Sequence, residues 1–363
     1  MRRLGAVFLA CAALLALYLA AWPVPVDPVA WQAPQDKGRT GVFAANEVLA
    51  AAGAVDLGEY EGPEDVAVGH DGALYAATFS GAILRIDPES HRVSEFARTG
   101  GRPLGIEAAP DGALLVANAY VGIQRVSQQG DVTDLLTAVD GEPLAYADDL
   151  AVAGTGVVYF SDASSKFGAR DWNGTYEASL LDILEHGGHG RIIEFDPRSG
   201  RASVLIDGLN FANGIAIAPD DNYLLIAETG SYRILRHWLQ GPEAGTTEVL
   251  IDNLPGFPDN INGGENRFWV GLIAPRDAKL DSLSDKPFLR KVVQRLPAFL
   301  RPSAVPSSHV FAIDGEGSVL RSLQDPAARY PAMTGACEAG QRVYLTRLFG
   351  HELPYVDARV LAD

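Results

Sequence analysis

The sequence predicts an all-β protein, a six-bladed β-propeller carried behind an N-terminal transmembrane helix. Three observations lead there. One phrase, a turn followed by an apolar strand, recurs six times along the chain. The turn formers Gly (38) and Pro (22) are plentiful while Met (2) is scarce, which suits many tight turns and stiff packing. A single uncharged apolar run, long enough to cross a bilayer, stands at the N-terminus.

That run covers residues 4–22, reads LGAVFLACAALLALYLAAW, and follows Arg2 and Arg3. A cleaved signal peptide has a shorter apolar core and small residues at its cleavage site, whereas Tyr18, Leu19 and Trp22 crowd that region here. The run is therefore read as an uncleaved membrane anchor. The arginines stay cytoplasmic by the positive-inside rule, which sends the remaining chain to the non-cytoplasmic side: periplasm in a bacterium, lumen or exterior in a eukaryote. Pro23, Pro25, Pro28 and Pro34 mark residues 23–45 as an extended linker. The expected organisation is an anchor over 1–22, a linker over 23–45 and a propeller over 46–363. The only cysteines, Cys11 and Cys337, allow no disulfide framework.

Within the body the recurring phrases are HDGALYAAT, PDGALLVAN, GTGVVYFSD, DNYLLIAET, ENRFWVGL and GQRVYLTR, anchored on Leu74, Leu114, Val158, Leu224, Phe268 and Val343. Their spacings are 40, 44, 66, 44 and 75 residues. Three of these match a four-stranded propeller blade of roughly 40–45 residues. The two long gaps carry insertions, SSKFGARDWNGTYEASLLDILEHGG and APRDAKLDSLSDKPFLRKVVQRLPAFLRPSAVPSS, the second with an amphipathic helical stretch around residues 288–300. Both are expected outside the blades, as lids. The last repeat ends too early for a fourth strand, while NEVLAAAGAVDLG precedes the first repeat unassigned. The N-terminal strand should therefore complete the last blade and remove the open sheet edges.

Charge and composition narrow the function. With 47% hydrophobic and 21% charged residues the chain is globular, and its net charge of −17 opposes any nucleic-acid partner. The innermost strand of each propeller blade lines the central channel, so equivalent residues form a ring at one depth. The motifs PEDVAV, PLGIEAA, ADDLAVA, ANGIAIA, PDNINGG and AMTGAC give the ring as Glu64, Leu104, Asp148, Asn213, Asp259 and Met333. Three carboxylates and one amide make a hard, all-oxygen donor set, which suits Ca2+ better than zinc. Carboxylates crowded into a channel repel one another and need either a cation or raised pKa values. Asp65, Asp149 and Asn260, next in sequence to three of these, should turn away from the channel to brace strands or support the ligands. Phe167, Trp172, Tyr176 and Phe257 flank channel-facing segments and, with Leu104 and Met333, are candidates for an apolar substrate pocket.

GPEDVAV, GRPLGIEAAPDGALLVANAY, ADDLAV, VYFSDASSKF, NFANGIAIAPD, IAET and PGFPDNINGG together resemble the strictosidine synthase-like branch of the calcium-dependent propellers, a superfamily that includes paraoxonase, gluconolactonase and senescence marker protein. The resemblance runs from about residue 46 to the last blade. It implies a six-bladed propeller and places Glu64, Asn213 and Asp259 where relatives hold their metal. Where relatives often carry Asn, this chain has Asp148. Two departures bear on activity. Plant strictosidine synthase condenses its substrates with a glutamate in the last blade, where this chain reads ARYPAMTGACEAG around Tyr330. Paraoxonases carry a histidine where this chain has Leu104. Alkaloid condensation and a histidine base at that position are therefore not expected.

The remaining motifs are bland. No G-x-S-x-G elbow occurs. His186 and His189 in EHGGHG read as a polar connection rather than a zinc pair, and His351-Glu352 lacks the second histidine of H-E-x-x-H. Asn173-Gly174-Thr175 is a glycosylation acceptor pattern that matters only in a glycosylating host. The expected function is a membrane-anchored, calcium-dependent hydrolase of small-molecule esters or lactones, with Glu64 and Asp148 as candidates for the catalytic base. The alternative is a non-catalytic, metal-stabilised propeller serving as a binding scaffold.

Overall fold

The computed structural model of the chain describes residues 2–264 and 267–361. Glu265 and Asn266, the turn of the fifth phrase, lie outside them, as do the two residues at the C-terminus. Among the described residues the strands form six four-stranded antiparallel sheets, with one short hairpin over residues 138–143. Blade 1 begins with Asp65–Val68, blade 2 with Pro103–Ala108, blade 3 with Ala147–Val152, blade 4 with Ala212–Ile217, blade 5 with Gly256–Gly263 and blade 6 with Met333–Ala339. These first strands neighbour one another in that order, and the strand of blade 6 lies beside that of blade 1. The ring is closed.

Closure comes from the N-terminal strand. Gly53–Asp56 pairs antiparallel with Glu352–Asp357, with Val55 opposite Leu353, and so becomes the fourth strand of blade 6. Val55, Leu57 and Leu353 are buried together with Tyr344 and the apolar face of blade 1. The joint is therefore sealed by core packing as well as by backbone hydrogen bonds.

Close approach at the axis depends on two glycines. A Cβ on Gly214 would lie 2.4 Å from the Asp259 carbonyl oxygen and 2.4 Å from the Ile261 nitrogen, and one on Gly105 would lie 2.4 Å from Asp149 Oδ1. Only hydrogen in place of a side chain lets blade 4 press against blade 5, and blade 2 against blade 3, at this level.

Among the described residues four α-helices lie outside the blades. Helix α1, Arg2–Ala21, is the apolar N-terminal run; its residues 3–21 are long and apolar enough to cross a membrane, and none of that stretch is buried. The first insertion folds as α2, Thr175–Glu185, and the second as α3, Ala278–Ser282, and α4, Pro287–Arg295. The amphipathic reading of the second insertion matches α4, whereas α2 went unpredicted.

Residues 23–45 are extended but are not a free linker. The backbone N–H of Val29 donates to the Glu185 carbonyl (2.9 Å) and that of Trp31 to the Ser284 carbonyl (3.1 Å). Val26 is buried against α2, and the Phe43 ring packs edge-on to Phe311 of blade 5 at 5.2 Å. The segment is a strap joining the two insertions to the propeller, and the folded body begins ahead of residue 46. The reason is apolar content: Val26, Trp31 and Phe43 punctuate the prolines and are buried or partly buried against the body.

Candidate active site

The ring residues owe their aim to a backbone irregularity. In blades 2 to 5 the pairing of the first strand slips between Pro103 and Ile106, Ala147 and Leu150, Ala212 and Ile215, and Pro258 and Ile261. Each slip is a β-bulge, which re-aims a side chain that regular pleating would turn elsewhere. Leu104, Asp148, Asn213 and Asp259 each follow the first residue of such a bulge. Together with Glu64, just ahead of blade 1, they line one cavity of about 430 Å³. All five are buried in the fold.

Blade 6 corrects the predicted ring. Its slip lies between Met333 and Gly335, so the position equivalent to Asp148 belongs to Thr334, followed by Gly335 as Leu104 is by Gly105. Met333 is fully buried in the core beneath blade 6 and does not line the cavity. Thr334 donates its hydroxyl to the Glu64 carbonyl (2.6 Å), which helps fix the backbone at that end of the ring. Blade 6 gives the cavity Leu348 instead. Tyr330, in the segment where plant strictosidine synthase holds its glutamate, packs against the same core and is not part of the lining.

Of the apolar candidates, Leu104, Trp172, Tyr176 and Phe257 line the cavity and Phe167 does not. Phe167 is fully buried and supports Trp172 edge-on from behind, at 5.7 Å between centroids. The rest of the wall comes from parts the sequence did not indicate. Tyr146 and Phe211 sit at the strand entrances, α2 supplies Leu181 and Leu184, and the second insertion supplies Arg276, Asp277 and residues 301–305. The lids are therefore walls of the site. Tyr146 donates its hydroxyl to the Thr175 carbonyl (2.9 Å), pinning the start of α2 to the ring. His186 and His189 diverge: His186 stacks on Trp31 at 4.0 Å, while His189 Nε2 meets Glu185 at 2.7 Å.

Asp65 accepts the Ile106 N–H of blade 2 (3.0 Å) and the Asn262 amide (2.7 Å). Asp149 accepts the Ile215 N–H of blade 4 (2.8 Å) and its neighbour Leu150 N–H (2.8 Å). Both are staples between blades. Asn260 donates its amide to the Glu64 carbonyl and to Glu64 Oε1, each at 3.1 Å.

Electrostatics divides these groups by their surroundings. Burial, then the nearby charges of Asp259 and Asp148, push the Glu64 carboxyl well above its ordinary value. Burial followed by Asp259 does the same to Asp148, and burial raises Asp259 to about 7 against the opposing Asn213 amide. Arg102 was missed in the sequence although it is the one cation in GRPLGIEAA. It is buried with Nε and Nη2 unpartnered, its guanidinium stacks on Phe79 at 4.6 Å, and its charge lowers both Glu64 and Asp148. One cation against three carboxylates leaves the ring short of positive charge.

Among the described residues no three or more Asp, Glu, His or Cys side chains are drawn together as a ready metal-holding group. The donor chemistry nonetheless fits a hard divalent cation. Glu64 Oε2 and Asn213 Oδ1 are buried oxygens without any hydrogen-bond partner, and buried polar atoms are rarely left so. Every ring donor is oxygen, the set that calcium takes.

Fold and site together define a closed six-bladed propeller with an acidic, lidded cavity over its axis. A family model described as strictosidine synthase matches residues 148–242, and one described as strictosidine synthase-like, N-terminal, matches residues 41–86. Adipocyte plasma membrane-associated protein from Bos taurus is 32% identical over 97% of this chain and 88% of its own length. Strictosidine synthase-like 6 from Arabidopsis thaliana is 31% identical over 85% of this chain and 82% of its own. The chain belongs to this strictosidine synthase-like family. Among solved structures, a gluconolactonase from Xanthomonas campestris superposes with a TM-score of 0.62 at 18% identity, covering 93% of this chain and 98% of that one. The calcium-binding protein regucalcin from Agrobacterium tumefaciens gives a TM-score of 0.55 at 14% identity over 82% and 92%. These two likenesses speak for the fold.

Proposed function

We propose that the chain is a membrane-anchored, calcium-dependent hydrolase of esters or lactones, held by α1 with its propeller on the non-cytoplasmic side. The observation that carries this reading is that Glu64, Asp148, Asn213 and Asp259 all line one cavity whose lining also offers the apolar side chains Leu104, Trp172, Phe257, Leu181 and Leu184. Those four residues would hold the ion, with Asn260 keeping Glu64 in place. A bound calcium ion would supply Lewis-acid polarisation of a carbonyl. The chain's own residues do the rest. Leu104, Trp172 and Phe257 take the apolar part of the substrate, and the lids exclude bulk water. Among the described residues no histidine or cysteine lines the cavity, so a covalent acyl-enzyme has no activated nucleophile and water attacks directly. Glu64 and Asp148, whose burial raises their proton affinity, are the two candidates to accept the water proton, a role worth roughly 10²–10⁴-fold.

The experiment is turnover of phenyl acetate and a panel of lactones by the purified full-length chain, with calcium and with chelator, beside Asp259→Asn. Calcium-dependent hydrolysis that Asp259→Asn abolishes along with calcium binding supports the reading. Full turnover in that variant, or an acyl-enzyme trapped in mass spectrometry, overturns the mechanism. The absence of a nucleophile and histidine pair also favours a second reading, a metal-stabilised binding scaffold, which predicts calcium binding without turnover.

A further inference from the structure

Helix α1 does not leave the propeller as a loose tether. Its C-terminal end is bonded to α4: the Tyr18 hydroxyl donates to the Arg295 carbonyl (3.0 Å), and Arg295 donates Nε to the Trp22 carbonyl (2.6 Å) and Nη1 to the Leu19 carbonyl (2.9 Å). At about 1.5 Å per residue, residues 3–21 span about 28 Å, close to the hydrocarbon thickness of a bilayer. Tyr18 and Trp22 then sit at the level where aromatic side chains favour the interface. Arg295 is therefore held at the membrane surface, and the segment around it cannot lie far away.

The composition of that segment suits such a place. Residues 286–301, KPFLRKVVQRLPAFLR, carry Lys286, Arg290, Lys291, Arg295 and Arg301 and no acid, in a chain whose net charge is −17. Lys286 and Lys291 are partly offset by Asp285 and Asp27, and Arg290 and Arg295 are buried with their guanidiniums spent on backbone carbonyls, so what α4 shows outward is chiefly apolar. Phe299 is 83% exposed, Phe288 and Leu300 57% each, Val305 59% and Leu289 41%. Large apolar side chains so exposed along one short segment are the pattern of an element lying in the plane of a lipid interface. The same insertion borders the cavity, since Val293, Gln294 and residues 301–305 line it.

We propose that residues 286–305 form a second membrane contact beside the anchor, with Phe288, Phe299, Leu300 and Val305 in the interface of the bilayer and the cavity mouth opening at headgroup level. Resting on the hydrolase reading, the substrate class follows: amphiphilic esters or lactones that reach the cavity from the bilayer. The contact itself does not depend on that reading.

The test uses the full-length chain, with Cys11 and Cys337 replaced by serine, in nanodiscs of phosphatidylcholine and phosphatidylglycerol. An environment-sensitive fluorophore is attached at Phe299→Cys or at Gln129→Cys, the latter in a turn at the opposite end of the blades from the cavity. A blue-shifted emission at position 299 that doxyl-labelled lipid quenches, with neither effect at 129, is the expected result. No quenching at 299, or equal quenching at both sites, overturns the contact. A second arm compares the parent with a double variant, Phe299→Ser and Leu300→Ser, both positions exposed and outside the cavity lining, on phenyl acetate and on a long-chain ester dissolved in the nanodisc. Retained turnover of the first substrate with loss of the second supports bilayer delivery, and parent-like turnover of both overturns it. Absence of phenyl acetate turnover from the parent chain sinks the hydrolase reading and leaves the fluorescence result standing.

Discussion

Asp65 and Asp149 stand one residue beyond Glu64 and Asp148, yet they belong to a different task. One oxygen of each is spent on a backbone N–H of the neighbouring blade, so each is a bracket across a seam that no sheet hydrogen bond crosses. Asp149→Ala strands the Ile215 N–H in a buried place, at a cost of about 1–3 kcal/mol. A lower midpoint of urea unfolding with unchanged slope is expected; an unchanged midpoint would mean that water replaces the carboxylate. A second residue gives the acid behaviour a sign. His309 is buried among Phe43, Phe311 and Arg39, bonds to Ser322 Oγ at 3.0 Å, and has its pKa lowered from 6.5 to about 3 by burial and then by the Arg39 charge. Below pH 6.5 the unfolded chain takes up a proton that the native imidazole refuses, so this contribution to stability falls as pH drops from 6.5 toward 3. His309→Asn should lose less stability than the parent between pH 6.5 and 4 in thermal melts. Parallel curves would clear His309 of the effect.

At the level of elements, the insertions and the strap meet on one buried cation. Arg290 of α4 donates Nη1 to the Leu184 carbonyl at the end of α2 (2.9 Å), and Nη2 to the Ser284 carbonyl (3.0 Å) and to the Val29 carbonyl of the strap. Arg290→Ala removes these donors at once; the Ser284 carbonyl keeps the Trp31 N–H, but the Leu184 and Val29 carbonyls lose this partner, at about 1–3 kcal/mol for each that water cannot reach. Limited proteolysis should then cut within residues 23–45 and 276–306 well before the propeller melts. Protection equal to the parent would show that the lids are held by packing alone. These contacts were not legible in the sequence, because Arg290 and Val29 are 261 residues apart and nothing local marks a carbonyl as an acceptor. What was legible is periodic: α4 announced itself by its apolar spacing, and each blade by its turn and strand. Helix α2 hid behind Trp172, Asn173 and Gly174, which read as loop. Met333 was misplaced for a related reason: the ring register is set by bulges, and in AMTGAC only the glycine after Thr334 marks the shared position.

Over the whole molecule, ring closure and the axial charges oppose each other. Six first strands converge on one axis, and five blades deliver ring side chains into the cavity, three of these carboxylates. Arg102 offsets one of them, burial raises the proton affinity of all three, and repulsion from neighbouring carboxylates adds to it at Glu64 and Asp148. The strand Gly53–Asp56 holds the ring shut against that repulsion. A divalent cation bound only by the closed ring adds stability by mass action, about 2.7 kcal/mol at one hundred times its dissociation constant and about 4.1 at one thousand times. Calcium should therefore raise the melting temperature over that in chelator, and magnesium should do less, because a smaller ion demands a tighter octahedral set than four side chains from separate blades supply. Asp259→Asn should behave oppositely in the two conditions: it relieves repulsion in chelator, melting no lower than the parent, and forfeits most of the calcium increment. A parent protein whose melt ignores both calcium and chelator, and that elutes from gel filtration without metal, would leave the three carboxylates neutralised by protons and remove the ion from the account.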